Sequence, residues 1–209
     1  TASWDFKGNG DAILQIVTLT ARNLNELHKV GVLHKDTKPE NLLFTDKSNC
    51  LLLLSDFGIS DILGADGSVN SLQDRTPIYA APEIYTKASI IGGATYAIMT
   101  RAYDYYALGM TALALWMGAD AFKRKETELV KLKLEGKIDV PKAMPEPLRT
   151  IVRGLLLNDV ESRWGFDEIQ RKLSELDELR RTVDAIPDEV IRAYTAQKYV
   201  HHGRMNQEI

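Results

Sequence analysis

Five short stretches of this sequence carry side chains able to do chemistry. The first is His34-Lys35-Asp36-Thr37-Lys38-Pro39-Glu40-Asn41. Fifteen residues after Asn41 comes Asp56-Phe57-Gly58, and later Thr76-Pro77-Ile78-Tyr79-Ala80-Ala81-Pro82-Glu83. Tyr103-Asp104-Tyr105-Tyr106-Ala107-Leu108-Gly109 and Asn158-Asp159-Val160-Glu161-Ser162-Arg163-Trp164 complete the set. A carboxylate such as Asp36 can orient a hydroxyl or accept its proton. Lys38, two residues on, brings a positive charge beside it. Asn41 and Asp56 are hard oxygen donors of the type magnesium selects. Taken one at a time, each stretch is also ordinary. An aspartate in a polar loop caps free N–H groups, and Asp-Phe-Gly is a common turn after a strand.

The elements around these stretches read as follows. Ile13, Val17, Thr20, Leu24 and Leu27 recur at steps of four and three, one face of a helix that starts at Asp11 and stops at Gly31. Asp11 stands where a carboxylate can cap the first turn. Residues 34–41 are polar and hold a proline, so they form a loop. The runs 42–44 and 50–55 flank a turn and predict a β-hairpin. Residues 56–83 are rich in Gly, Ser, Asp and Pro, with little periodicity, and read as a long functional loop. Beyond residue 100 the pattern is helical, over 103–117, 127–134, 147–157, 166–183 and 188–199. The 103–117 run is apolar on nearly every side and is expected to be buried.

Composition bounds the rest. With 209 residues, 44% hydrophobic and 26% charged, the chain can close a core and is neither disordered nor a coiled coil. Its one cysteine, Cys50, cannot form an internal disulfide. A reducing, cytoplasmic setting is therefore expected. A net charge of −3 and a pI near 5.8 argue against a nucleic-acid or anionic-membrane footprint. Cys50 before four leucines is read as a buried small residue, Glu40 as a solvated loop acid and His201-His202 as exposed tail.

In their order and spacing, the five stretches resemble the C-terminal lobe of a serine/threonine protein kinase. That family's catalytic loop reads His-Arg-Asp with Asn to follow, then Asp-Phe-Gly, then Ala-Pro-Glu. The resemblance implies a mainly α fold, a helical bundle with a small β-hairpin at the catalytic cleft, and α+β once a small lobe is counted. It implies a lead-in over 1–10, the lobe over 11–180 and a helical extension over 181–209. It implies ATP and Mg2+ as cofactors and a protein hydroxyl as acceptor. Asp36 is then the catalytic base, and Lys38 the cation beside the transferring phosphoryl group. Asn41 and Asp56 become the metal ligands, Leu43 the floor under the adenine ring, and Thr76 the substrate-loop residue beside the acceptor. His34 and Phe57 join a packed apolar column, and Gly58 turns the backbone at Asp56. Asp104 accepts hydrogen bonds from the catalytic-loop backbone. Glu83 and Arg163 pair at the end of the activation segment.

Three departures qualify the resemblance. Lys35 stands where most kinases have arginine, and a lysine cannot fork two hydrogen bonds onto a phosphate. Arg75 stands where glycine is usual. The family's glycine-rich loop, strand lysine and helix glutamate have no counterpart ahead of the first helix. Gly8-Asn9-Gly10 is too short, and Gly92-Gly93 lies on the wrong side of the site. The expectation is a catalytic lobe inactive alone, completed by an N-lobe-supplying segment or partner chain. The competing functions are a non-catalytic kinase-like module that binds a partner protein, and a small-molecule phosphotransferase. Lys38-Pro39-Glu40 and Ala81-Pro82-Glu83 speak against the last. Ser60, Ser68, Ser71 and Thr76 could each take a phosphate. Lys35 offers only one contact, so weak dependence on loop phosphorylation is expected.

Overall fold

A computed structural model describes residues 6–46, 51–72, 76–86, 88–91, 94–118, 122 and 126–184. The chain divides into two compact units, Thr1–Gln170 and Arg171–Ile209. The first helix, α1 (Gly10–Lys29), buries Ile13, Ile16, Val17, Thr20, Ala21, Leu24 and His28. The stripe ends on His28, which is fully packed, and not on Leu27. Asn9, not Asp11, caps the helix: its side-chain oxygen accepts the Ala12 N–H at 3.1 Å. The asparagine carbonyl sits one turn ahead of the free N–H groups, where Asp11, already inside the first turn, cannot reach back. Gly31 takes φ +76°, the left-handed conformation that lets the chain leave the helix.

Strand β1 (Val32–Leu33) pairs antiparallel with β4 (Asp61–Ile62), with Leu33 opposite Asp61. A 3-10 turn, Pro39–Asn41, leads into the hairpin β2 (Leu42–Asp46) and β3 (Leu51–Leu54). Leu42 and Leu52 bury against Ile16 of α1, which fixes the hairpin next to the loop that carries Asp36. Helix α3 (Arg101–Met117) is buried along most of its length and packs between α1 and α5 (Glu146–Leu155). Gly109 permits that approach, since a Cβ there would meet Leu155 and Leu156 at 2.9–3.0 Å. Helices α4 (Glu126–Leu134) and α6 (Phe166–Asp184) complete the set with a short α2 (Glu83–Thr86).

The helical bundle with one hairpin needs correction. Residues 56–83 are not one irregular loop: they contain β4 and β5 (Ser68–Leu72). Strands β6 (Ala88–Ile91) and β7 (Ala94–Thr100) follow α2, and a three-stranded antiparallel sheet runs β5-β7-β6. Ser71 lies opposite Ala97 in that sheet. Ser and Asn are weak strand formers, so β5 depends on its pairing with β7, 24–32 residues away, whereas β6 and β7 hold the good strand formers Ile90, Ile91, Thr95, Tyr96 and Ile98. The expected helix over 188–199, Cys50, Arg75, Gly92-Gly93 and His201-His202 lie outside the described residues. Among the described residues, no helix is long and apolar enough to cross a membrane.

Candidate active site

The loop between β1 and the 3-10 turn carries Asp36, and three side chains converge on its carboxylate. Lys38 Nζ donates to Oδ2 at 2.5 Å, Asn41 Nδ2 to Oδ2 at 2.9 Å, and Thr76 Oγ1 to Oδ1 at 3.0 Å. Lys38 Nζ also reaches Thr76 Oγ1 at 3.1 Å, so four side chains close into one network. The 3-10 turn makes this possible by folding Asn41 back onto its own loop, where Nδ2 also bonds the Asp36 carbonyl at 2.8 Å. Asp36 is 8% exposed. Burial raises its carboxyl pKa, but the hydrogen bonds from Lys38, Thr76 and Asn41 and the Lys38 charge outweigh burial and hold it below its ordinary value. Asp36 is therefore an ionised acceptor at neutral pH.

The loop is held from beneath. Asp104, fully buried in the first turn of α3, accepts the backbone N–H of His34 at 2.9 Å and of Lys35 at 2.8 Å. His28 Nε2 donates to the same carboxylate at 2.9 Å. Thr111, two turns along α3, donates to the Thr37 carbonyl at 3.1 Å. The His34 ring accepts the Asp36 N–H at Nδ1, which leaves the proton on Nε2 for the Ser55 carbonyl at 3.1 Å. Ser55 in turn bonds the Asn41 carbonyl, tying β3 to the catalytic loop. At the far end of the segment, Glu83 of α2 and Arg163 meet through two parallel hydrogen bonds of 2.8 and 2.9 Å.

A family profile described as "Protein kinase domain" matches residues 9–173. The chain belongs to the protein kinase domain family. Among similar proteins is one named probable serine/threonine-protein kinase fhkC, from Dictyostelium discoideum. It is 28% identical over 163 residues, 76% of this chain and 26% of that protein. The Caenorhabditis elegans protein named serine/threonine-protein kinase chk-2 is 38% identical over 106 residues, 49% of this chain and 20% of its own length. A Mycobacterium bovis protein named serine/threonine-protein kinase PknK is 35% identical over 117 residues, 56% of this chain and 10% of its own. The chain thus spans about a quarter of the first of these relatives and less of the others.

In this kinase domain Asp56 stands apart from the Asp36 network. It is exposed, and its Oδ1 accepts the Gly58 N–H at 3.3 Å. The left-handed turn expected at Gly58 falls on Asp56 itself, φ +62°. Gly58 matters for a different reason: a Cβ there would stand 3.2 Å from Asp56 Oδ1 and crowd the carboxylate. Among the described residues, no group of three or more His, Cys, Asp or Glu side chains gathers to hold a metal. The donor set is an amide and a carboxylate, Asn41 and Asp56, and its two hard oxygens suit an ion that keeps phosphate and water ligands. Phe57 meets the His34 ring edge-on, 5.0 Å between centroids, yet stays 47% exposed. It is therefore not enclosed in a column. Leu43 is 49% exposed and lies opposite Leu53 on the hairpin, so these two form an open apolar face.

Two lysines in the kinase domain have partners that the sequence did not disclose. Lys35, buried and at φ +71°, places Nζ 2.8 Å from Asp61 Oδ2 and 2.5 Å from Ser71 Oγ. Burial raises the Asp61 carboxyl pKa, but the hydrogen bonds from Lys35 and Ser71 outweigh that and hold it low. The cation expected to meet a loop phosphate is thus already engaged by an acid of the segment itself. Lys133 of α4 is fully buried and bonds three carbonyls of the Thr76 segment. The sequence reading gave Lys35 only a single phosphate contact and gave Lys133 no role. Only the low apolar periodicity around Lys133 hinted that α4 is unusual.

Proposed function

We propose that residues 11–180 form the larger lobe of a serine/threonine protein kinase that transfers the γ-phosphoryl group of ATP to a protein Ser or Thr hydroxyl. Residues 181–209 extend it. The observation that carries this reading is the Asp36 carboxylate, ionised and gripped by Lys38, Asn41 and Thr76. An ionised carboxylate in a fixed orientation can accept a hydrogen bond from the acceptor hydroxyl and take its proton as the bond forms. The Thr76 hydroxyl, bonded to Asp36 and Lys38 together, holds the substrate segment at the reacting edge. The Lys38 ammonium sits where negative charge on the transferring group would develop. Asn41 and Asp56 would hold magnesium, which when bound neutralises charge on the phosphate oxygens. Leu43 and Leu53 offer the apolar surface on which an adenine ring would rest.

In this reading these groups would form one side of the catalytic cleft. We infer that the donors covering the phosphates come from outside residues 1–209, on another segment or chain. The 209-residue chain should then bind Mg-ATP in the millimolar range or weaker, roughly −4 kcal/mol. Calorimetric titration of Mg-ATP, with transfer to a Ser/Thr peptide by wild type and Asp36→Asn, tests both statements. Micromolar binding with Asp36-dependent transfer by this chain would keep the kinase reading and overturn the incomplete-lobe reading. Tight Mg-ATP binding and complete donors with no transfer at all would overturn the kinase reading. The exposed Leu43, Leu53 and Phe57 favour the second reading, a module that docks a partner protein on that face.

A further inference from the structure

Lys133 occupies a position that an apolar residue would be expected to fill. It lies one turn after Leu129, and both face inward, 3% and 0% exposed, while the neighbouring Leu134 is 42% exposed. A lysine in a core position beside an exposed leucine is a local inconsistency of the kind that marks a functional constraint. Its head group explains the choice. Nζ donates to the carbonyls of Pro77 at 2.9 Å, Ile78 at 2.7 Å and Ala80 at 2.7 Å. An ammonium has three donors and no acceptor, and three carbonyls of one tight loop take them. It also stands 5.8 Å from the centroid of the Tyr106 ring.

We propose that Lys133 is a positioning residue for protein substrates: it clamps the loop 76–81 so that Thr76 stays bonded to Asp36. This rests on the kinase reading above for its functional consequence, but the clamp itself is a property of the loop. The connection is short. Thr76 precedes the first clamped carbonyl, and its own carbonyl accepts the Tyr79 N–H at 3.0 Å, closing the loop on itself. The Lys133 end of α4 is anchored in turn. Asn158 Nδ2 donates to the Lys133 and Leu134 carbonyls at 2.7 and 3.1 Å, and Arg163 Nη2 to the Asn158 carbonyl at 3.3 Å. The clamp therefore joins the substrate loop to the Arg163–Glu83 pair that fixes the other end of the segment. Without the ammonium, three carbonyls lose charge-assisted bonds together and the loop can turn them elsewhere.

Hydrogen exchange on the 209-residue chain tests the clamp. Lys133→Met keeps the volume and removes the donors, Lys133→Gln keeps a shorter donor head, and Lys131→Met is an exposed control. In Lys133→Met, exchange at the amides of 78–81 should rise roughly tenfold or more while the α1 and α3 amides hold. Lys133→Gln should fall between, and Lys131→Met should match wild type. Unchanged exchange at 78–81 would overturn the proposal. An equal rise in α3, or loss of folding in both Lys133 variants, would also overturn it, because Lys133 would then be a general core residue. Where transfer is measured, Lys133→Met should raise KM for a protein acceptor and leave KM for Mg-ATP within about twofold. No transfer by the wild-type 209-residue chain is what the incomplete-lobe reading expects, and the exchange result decides the clamp independently of it.

Discussion

Arg163 reaches across 80 residues of sequence to grip both carboxylate oxygens of Glu83, with its own side chain at 0% exposure and that of Glu83 at 8%. The guanidinium is also bonded to the carbonyls of Leu157, Ala102 and Asn158 and lies 4.9 Å from the centroid of Tyr106. Every donor direction of the planar fork is thus engaged, a geometry that lysine cannot reproduce. Removing the arginine leaves Glu83 charged and buried without its counter-ion. Arg163→Ala should cost about 3–5 kcal/mol. At about 2–4 °C per kcal/mol for a domain of this size, the melting temperature should drop by roughly 6–20 °C. Differential scanning calorimetry of wild type, Arg163→Ala and Arg163→Lys checks this, with the lysine variant expected between the other two. A wild-type melting temperature in Arg163→Ala would show that the pair contributes nothing.

On the proposed kinase reading, Asp36→Asn in a full-length parent protein should lower phosphoryl transfer by at least ~10²-fold, the usual size of a general-base effect. Its melting temperature should fall, since an amide cannot accept on both sides the bonds that the carboxylate takes from Lys38, Asn41 and Thr76. The pH profile gives a second check. With the Asp36 carboxyl held below its ordinary 3.8, the group stays ionised as pH falls through that value. The acid limb of kcat/KM assigned to Asp36 should therefore lie below pH 3.8. An acid limb near neutrality, abolished in the variant, would contradict the assignment.

Asp61 links pH to the stability of the segment. Its carboxyl is depressed from 3.8 by the bonds from Lys35 and Ser71. A group whose folded pKa lies below its unfolded pKa contributes stability that is complete above the unfolded value and is lost as pH falls through the folded value. Asp61→Asn should therefore have a lower urea midpoint than wild type at pH 7, and the two should converge as pH falls below 3.8 and through the depressed folded value. The Asp61 side chain is 36% exposed, so solvent screening keeps the difference small. Parallel midpoints at every pH would mean that the contact carries no electrostatic stabilisation.

Because Asp61 already engages Lys35, adding a phosphate to Ser60, Ser68 or Thr76 gives Lys35 little new to bind. Acidic substitutions at Ser60 and Ser68 should change transfer by less than about tenfold, since a single surface charge contact is worth little. A rise above ~100-fold that is abolished in Lys35→Met would show that the segment instead waits for phosphate. Steady-state kinetics on the paired variants checks this.

Gly154 of α5 lies against the Trp164 indole, and a Cβ there would overlap the ring. Gly154→Ala should cost about 1–3 kcal/mol by overpacking, although alanine favours a helix. A chemical denaturation curve would reveal the sign, and stabilisation would mean that the ring moves freely aside.

Some of this structure was legible because the information is local. The α1 stripe, the buried α3 and the 42–54 hairpin each follow from a repeat distance of apolar side chains, which sequence displays directly. Gly31 and Gly136 take φ +76° and +63°, as punctuation after α1 and α4. The order and spacing of the five polar stretches were enough to point to the protein kinase family, and the family match over residues 9–173 agrees with them. Tertiary structure decided what depends on a distant partner. In the β5-β7-β6 sheet, Ile90, Ile91, Thr95, Tyr96 and Ile98 of β6 and β7 are good strand formers that the sequence reading passed over, whereas β5, with its serines and Asn70, is a strand through its partner β7, 24–32 residues away. Lys133 looks like one of many surface lysines, and Lys35, singled out as a phosphate contact, shows no sign of its acid partner. What buries them is a carboxylate 26 residues away in one case and three carbonyls more than 50 residues away in the other. A lysine carries the same chemistry wherever it stands. Whether it is solvated or committed depends on which acceptors the fold brings within hydrogen-bonding distance, and no spacing in a one-dimensional sequence encodes that.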